Sequence, residues 1–472
     1  MTYNLKYLLI IVCFLYSFVA LAQQVTFEKN YDFGYADVAY CVQQTPDSGY
    51  IMAGRQGIAP FYEKMVIAKT DQFGILQWQK IIGSSANSAW ANYIVNCTDG
   101  GYAAVGYQYD LNYRYDVFVV RLDNNGDTLW TKHYGKTTMN ERGNCIKELP
   151  NKNFIISFET DQPDSTGLLK IDSVGNKIWI KRYSLESGIR INHVSNLNNG
   201  NFISCGILLS ASSIQYGFAM CTNNFGDTLW TRKYLGTNGA EFYETQQTND
   251  GNIVIAGGNY NDKWGGYYLK LNLDGDTIWT KKQSLNEIIE MKSINQCLDG
   301  GFIATGSIYN PLSISTYNQN AYLVKLDSSG NTEWTKEFGD PVEDEGGYYV
   351  RQTYDKGFII CGLYESPVNF YLVKTDSIGN LITNINEIKN KENYSIYPNP
   401  TQNKINLIFK NEAEYSISIL TLNGQLIFKT QILEDEATSI NSIDVSNFSN
   451  GIYFITILSN NFTVTKKIIK IN

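Results

Sequence analysis

One short stretch, LDNNGDTLWTKHYG from Leu122 to Gly135, returns along most of the chain with small changes. Its near copies are KTDQFGILQWQKIIG from Lys69, KIDSVGNKIWIKRYS from Lys170, KLNLDGDTIWTKK from Lys270 and KLDSSGNTEWTKEFG from Lys325. The tryptophans stand at 78, 130, 179, 230, 279 and 334, a period of 49 to 55 residues. A further copy, KTDSIGNLITN from Lys374, carries Thr383 in the Trp position. Self-similarity at this length constrains a fold severely. Each repeat must be one supersecondary unit whose apolar faces are covered by its neighbours.

A second signal precedes each copy: a turn and then an apolar run, as in DSGYIMAGR, DGGYAAVGY, NGNFISCGI and DGGFIATGS, seven times in all. Before each of these lies another strand-like segment, such as DVAYCVQQT or YYVRQT. Each unit therefore reads as four short strands, a to d, with the AG signal on b, Lys-x-Asp at the end of c and Trp on d. Four-stranded units at this period predict a β-propeller blade. Strand c is apolar on both faces (FVVRL, YYLKL, FYLVKT), as a sheet sandwiched between neighbours must be. The seventh unit lacks a proper strand d, and VTFEKNY near the start offers one: Phe27, Lys29 and Tyr31 repeat the spacing of Trp130, Lys132 and Tyr134. The expectation is an all-β, seven-bladed propeller over 23–383, its last blade closed by the N-terminal strand, which also removes two open sheet edges.

The Asp-rich turns invite a calcium reading. An EF-hand loop, however, needs Gly at the sixth position and a bidentate Glu at the twelfth. Here Gly follows the first Asp by three, which fits a type I turn closed by a left-handed residue. No cofactor or built metal site is expected, with room only for opportunistic Ca2+. The basic residue two before the Asp (Lys69, Arg121, Lys170, Lys270, Lys325, Lys374) shares its strand face and is expected to pair with it; Cys221 breaks the series. Features present in every blade serve the ring, so function belongs where blades differ.

A formal net charge of −8 excludes a nucleic-acid footprint. Only two histidines, His133 and His193, leave little for a His-rich metal site or a Ser-His-Asp triad, and both are read as structural. Residues 1–22 have the pattern of a signal peptide, and no later run is long enough to span a membrane. Of eight cysteines, Cys13 falls in that segment and none forms a CxxC pair. They read as buried thiols, with Cys205–Cys221 the candidate disulfide.

Residues 384–393, NINEIKNKEN, are unpatterned and read as a linker. Residues 394–472 alternate strands with NG turns, enough for a small β-sandwich. This segment carries Tyr397-Pro398-Asn399-Pro400, Leu422-Asn423-Gly424-Gln425, Gly451-Ile452-Tyr453 and a basic last strand with Lys466 and Lys467. In these motifs it resembles the type A sorting domain of the type IX secretion system, the export route of Bacteroidetes. The resemblance implies an Ig-like sandwich, the type IX machinery as partner, localisation at the cell surface or in the medium, and removal by a sortase-like peptidase. The repeats are similar to poorly characterised Trp-repeat propellers of such secreted proteins.

Loops b–c and d–a share one rim and vary in length and content. Tyr107, Tyr109, Tyr113, Arg114 and Tyr115 cluster there, joined in kind by Trp264 and Tyr317; aromatics with Arg suit sugar stacking or a protein partner. Asp37, Glu141 and Glu345 open strand a near the same rim, either ringing the channel mouth for a cation or bonding loop amides. The expected function is a non-enzymatic exported binding protein for a glycan or protein. The rival is a polysaccharide hydrolase or lyase, which needs carboxylates with Tyr, His or Arg in one cleft. A structural or adhesive surface component is the third reading.

Overall fold

The computed structural model describes residues 24–471 except 60–61, 84–86, 110–113, 137, 162–164, 185–187, 211, 213, 237, 262, 284–287, 312–316, 340–342, 366–367, 382–393, 410–413, 422–424, 433–440 and 460–462. The leader at 1–22 and the linker thus lie outside the described residues. The chain divides into two compact units at Ile382/Thr383. Both are built from strands, and among the described residues there is no helix long and apolar enough to cross a membrane.

The first unit is a seven-bladed propeller. Six antiparallel four-stranded sheets each use consecutive strands, as in Val38–Gln44, Tyr50–Ala59, Tyr62–Thr70 and Leu76–Ile82 of blade 1. Blade 7 takes strands a to c from Glu345–Gln352, Phe358–Glu365 and Val368–Thr375, and its fourth from Phe27–Tyr31, paired from Phe27↔Lys374 to Tyr31↔Phe370. Strand c is buried nearly throughout, whereas strand d is largely exposed. The apolar-both-faces pattern of c follows from its place between blades.

The recurrent motif is an inter-blade seal. The c–d turn glycines adopt positive φ, between 69° and 84°. Each leaves its Cβ position open to the ring of the preceding blade: Trp78 lies over Gly126, Trp130 over Gly175, Trp179 over Gly226, Trp230 over Gly275, Trp279 over Gly330 and Trp334 over Gly379. Phe27 occupies the same place over Gly74, closing the ring. The tyrosine four after the Trp position then donates its hydroxyl to the same glycine's carbonyl, in Tyr134–Gly175 (2.6 Å), Tyr183–Gly226 (2.7 Å) and Tyr234–Gly275 (2.8 Å). Tyr31 does so to Gly74 at 2.7 Å.

The Lys-x-Asp reading is corrected. Lys69 pairs with Asp47 of the a–b turn (2.9 Å), not Asp71; Arg121–Asp99, Lys270–Asp250, Lys325–Asp299 and Lys374–Asp355 follow suit. Asp71 is engaged locally, its Oδ1 accepting from the amides of Phe73 and Ile75. All seven described cysteines are buried free thiols. Strand register sets Cys205 opposite Ala219 and Cys221 opposite Ile203, so the candidate disulfide does not form.

The second unit contains two sheets. One is ordered Tyr394–Tyr397, Lys404–Phe409, Asn441–Asp444; the other Leu426–Ile432, Tyr415–Thr421, Gly451–Leu458, Thr463–Lys470. Its core is aliphatic, with Phe409 stacked on Tyr415 at 3.9 Å. The side chain of Asn399 donates to Lys467 O and accepts from the Ile469 amide (2.8 and 2.9 Å), tying the YPNP segment to the basic last strand. Tyr453 is buried and bonds Ser449 O; Lys466 is partly buried and Lys467 exposed. Gly424 lies outside the described residues.

Candidate functional site

Every strand a carries a β-bulge at the same place: between Ala39/Cys41, Ala91/Tyr93, Gly143/Cys145, Ile191/His193, Phe242/Glu244, Met291/Ser293 and Gly347/Tyr349. In six blades strand b accommodates it: at Gly54, Gly106, Gly206, Gly257, Gly306 and Gly362 a Cβ would collide with a strand-a carbonyl, so the glycine of the AG signal lets the bulged strand approach, whereas in blade 3 Phe158 takes that place and the glycine, Gly143, is on strand a. Bulges re-aim side chains. Here they define two stacked rings on the channel-lining strands. The bulged ring is Tyr40, Asn92, Asn144, Asn192, Tyr243, Lys292 and Tyr348. The ring beneath it is Cys41, Tyr93, Cys145, His193, Glu244, Ser293 and Tyr349.

The bulged ring has two unlike arcs. In blades 2 to 4 the residue is Asn, and each donates its amide across to the next blade: Asn92 to Gly143 O, Asn144 to Ile191 O, Asn192 to Phe242 O, at 2.7 to 2.9 Å. In blades 5, 6, 7 and 1 the arc is aromatic and cationic. Lys292 lies over the Tyr243 ring at 3.8 Å and Tyr348 against Tyr40 at 5.6 Å. Together the arcs enclose a cavity of about 440 Å³ that also includes Glu159, Arg190, Tyr93, His193, Glu244 and Tyr349. Arg190 near the start of its a strand and Glu159 near the end of its b strand stand toward the variable loops, so the cup faces that rim.

The floor is a polar cluster drawn from blades 2 to 7. Arg351 bonds Glu244 (2.6 Å) and Tyr349; Tyr349 and Tyr93 share a hydroxyl contact; Lys147 donates to Tyr93 and covers its ring at 4.5 Å. His193 stands 3.4 Å from the Tyr93 hydroxyl and 3.6 Å from Glu244. Glu244 is further held by the Ser293 hydroxyl (2.5 Å) and the Ile294 amide (3.0 Å). Burial, then the charges of Lys147 and Arg351, hold His193 well below the ordinary histidine range, so it is neutral. Burial likewise pushes the Tyr93 phenol well up, so it stays protonated.

At the rim, Tyr107, Tyr109 and Tyr115 pack on one another with centroids 5.1 to 6.0 Å apart. Tyr107 is buried beside Trp90 (5.0 Å), while Tyr109 and Tyr115 are half-buried. Arg142 sits over Tyr115 at 4.4 Å and bonds Glu159, which Arg190 also bonds, so this cluster adjoins the cup wall. Arg114 is partly buried; Tyr113 and the side chains of Trp264 and Tyr317 lie outside the described residues. Of the acidic trio, Asp37 accepts from the Phe33 and Gly34 amides and Glu141 from the Lys136 amide and Arg182; Glu345 is fully buried. The structure does not bring the three together in the cup. The cup residues escaped the sequence reading because no two of its floor groups share a repeat-wide motif; the signal that located them is the strand-b glycine. Among the described residues no cluster of His, Cys, Asp and Glu suits a metal ion.

Comparison with known proteins agrees with both units. Residues 395–472 match the family described as the secretion system C-terminal sorting domain. No curated protein matches the chain. Among solved structures, an ulvan lyase, a polysaccharide lyase, is 10% identical over 74% of this chain and 96% of its own, with a TM-score of 0.50. The hydrazine synthase of Kuenenia stuttgartiensis is 11% identical over 71% and 95% (TM-score 0.49), and a protein of unknown function from Bacteroides caccae 13% over 61% and 93% (0.39). At 10% identity the likeness to the lyase speaks for the fold alone, and the other two carry no argument. The C-terminal unit is a type IX secretion-system sorting domain, and the chain that carries it is an exported β-propeller protein of the cell surface or extracellular space.

Proposed function

We propose that the propeller is a binding module that holds a glycan or a protein segment in the channel-mouth cup, with the Tyr109–Tyr115 cluster extending the contact onto the rim. The observation that carries this is the split of the bulged ring. Three asparagines are spent latching blades, while Tyr243, Lys292, Tyr348 and Tyr40 form an unbroken arc whose rings face a cavity. Rigid aromatic faces flanked by polar groups are the usual means of gripping a sugar or a peptide side chain.

The hydrolase or lyase reading gains one observation, since Tyr93, His193, Glu244 and Arg351 do converge at the cup floor. Against the hydrolase, which uses two carboxylates, Glu244 is the one carboxylate in that floor cluster among the described residues and is held by Ser293, Ile294 and Arg351, while Glu159 on the cup wall is held by Arg142 and Arg190. Binding is therefore preferred. The test is a glycan and cell-surface binding panel with Tyr40→Ala/Tyr348→Ala and Tyr109→Ala/Tyr115→Ala proteins. Each pair is expected to weaken retention about tenfold or more with the melting temperature preserved. Retention unchanged in both would remove the reading, and release of new reducing ends or unsaturated sugars would favour the enzyme.

A further inference from the structure

We infer that the floor of the cup is a carboxylate subsite, selecting an acidic sugar; the inference rests on the binding reading above. It follows from counting donors, acceptors and charges.

A phenol oxygen offers two lone pairs and one proton. At Tyr349 the lone pairs face Gln43 Nε2 (3.1 Å) and Arg351, so its own proton goes to Tyr93. Tyr93 then accepts from Tyr349 and Lys147, which fills it, and Arg351 Nη2 stands by as a further donor at 3.3 Å. Its proton needs an acceptor. The nearest ring nitrogen, His193 Nε2 at 3.4 Å, is not one. Nδ1 of His193 accepts from the Thr245 amide (3.4 Å), so in the neutral ring Nε2 carries the hydrogen and points it at Glu244 and Tyr93. Among the described residues the floor thus has more hydrogens than oxygens to receive them.

The charge count has the same sign. Lys147 and Arg351 face one carboxylate, Glu244, already taken by Arg351; no carboxylate among the described residues pairs with Lys147. On the walls Arg142 and Arg190 share Glu159, and Lys292 pairs with Glu290. Glu241 is half-buried beside them, and burial raises its pKa toward the neutral form against the charges of Lys292 and Arg190. The cup is therefore locally positive in a chain of net charge −8. Burial, with the neighbouring Arg351 charge, presses the Lys147 pKa down, and a carboxylate arriving in the cup would hold its ammonium form. A carboxylate lowered between Tyr243, Tyr348 and Tyr40 supplies both missing quantities, an acceptor for the cation-backed phenol and a negative charge. The aromatic arc takes the sugar ring that bears it.

Titration calorimetry of the intact protein with oligogalacturonate, and with the same oligosaccharide carboxyl-reduced to primary alcohols, tests this. The acidic form is expected to bind about tenfold tighter or more, with the gap narrowing as salt rises. Lys147→Met should erase most of the gap; Tyr93→Phe, which removes only a hydroxyl, should do the same and serves should Lys147→Met misfold. Tyr348→Ala should weaken both forms alike. Equal binding of the two forms, or a gap that survives in Tyr93→Phe, overturns the subsite but leaves cup binding standing. If neither form binds while the surface panel still shows Tyr348-dependent retention, the subsite alone has failed; if that retention is also absent, the binding reading has failed with it.

Discussion

At the scale of single residues, the basic side chain at the end of strand c is the most informative. The sequence placed it beside an Asp on its own strand, but that Asp caps its own turn, and the partner comes from the neighbouring hairpin. One clue was legible in the sequence: blade 4, which has Asn199 in that turn, also replaces the base with Cys221. Blade 3 has Asn151 there and keeps Lys170, which turns to Asn224 instead, but wherever the turn Asp is present the base is present too. Lys374, 1% exposed and paired with a 35% exposed Asp355, shows why. Burial drives the Lys374 ammonium below the ordinary lysine range despite its partner. Desolvation is the largest single influence on Asp355 and raises its pKa, but hydrogen bonds from Thr353 and Lys374 and the Lys374 charge together hold it below the carboxylate range. The two ends disagree on what the pair is worth, and the buried cation decides: the net gain is small, but removing one end is costly. Asp355→Ala is expected to cost about 3 kcal/mol in urea denaturation, and Asp355→Asn with Lys374→Met, which imitates blade 4, less than half of that. A carboxylate with a depressed folded pKa contributes above its unfolded pKa and loses that contribution as pH falls through the folded one. Acid destabilisation of the parent protein below about pH 4 should therefore be shallower in the double variant.

Among elements, the c–d hairpin and the N-terminal strand were legible because both rest on local spacing: a Trp position, a turn glycine, a tyrosine four residues later. The missing Trp at Thr383 pointed to Phe27, and Phe27 lies over Gly74 as the tryptophans lie over their glycines. Phe27→Ala is expected to lower the melting temperature by several degrees through a lost inter-blade contact, while Phe27→Trp should retain or raise it; scanning calorimetry decides. A larger loss from Trp230→Ala than from Phe27→Ala would be no surprise, since Trp230 also bonds Leu273 O. The strand-a bulge was not legible as such. The AG signal marked strand b clearly, but a glycine in a strand reads equally as a turn, a bulge or a close approach until its partner strand is known.

For the molecule as a whole, the two units differ in how openly they state their purpose. The C-terminal unit carries its role in contiguous motifs whose ends meet, Asn399 on the last strand being the example. Intact-mass measurement of the exported protein is expected to show a species lacking the unit that begins at Thr383; a full-length mass at the surface would contradict removal of the sorting domain. The propeller keeps its candidate site in one residue each from Tyr93, Lys147, His193, Glu244 and Arg351, all in different blades. A linear reading has no means to add these up, because each alone looks like an ordinary strand residue.

The closure of blade 7 sets a timetable as well as a shape. Glu28 meets Tyr371 across 343 residues of chain, so the first strand of the propeller is the last to find its partners. Until Val368–Thr375 is available, six complete blades must wait as an open arc with an unpaired edge at each end. Closure is thus a single late event of long sequence separation, the slow kind of step. An exported chain arrested before it would present its sticky edges to other copies of itself, which makes the clasp the point where folding and crowding compete.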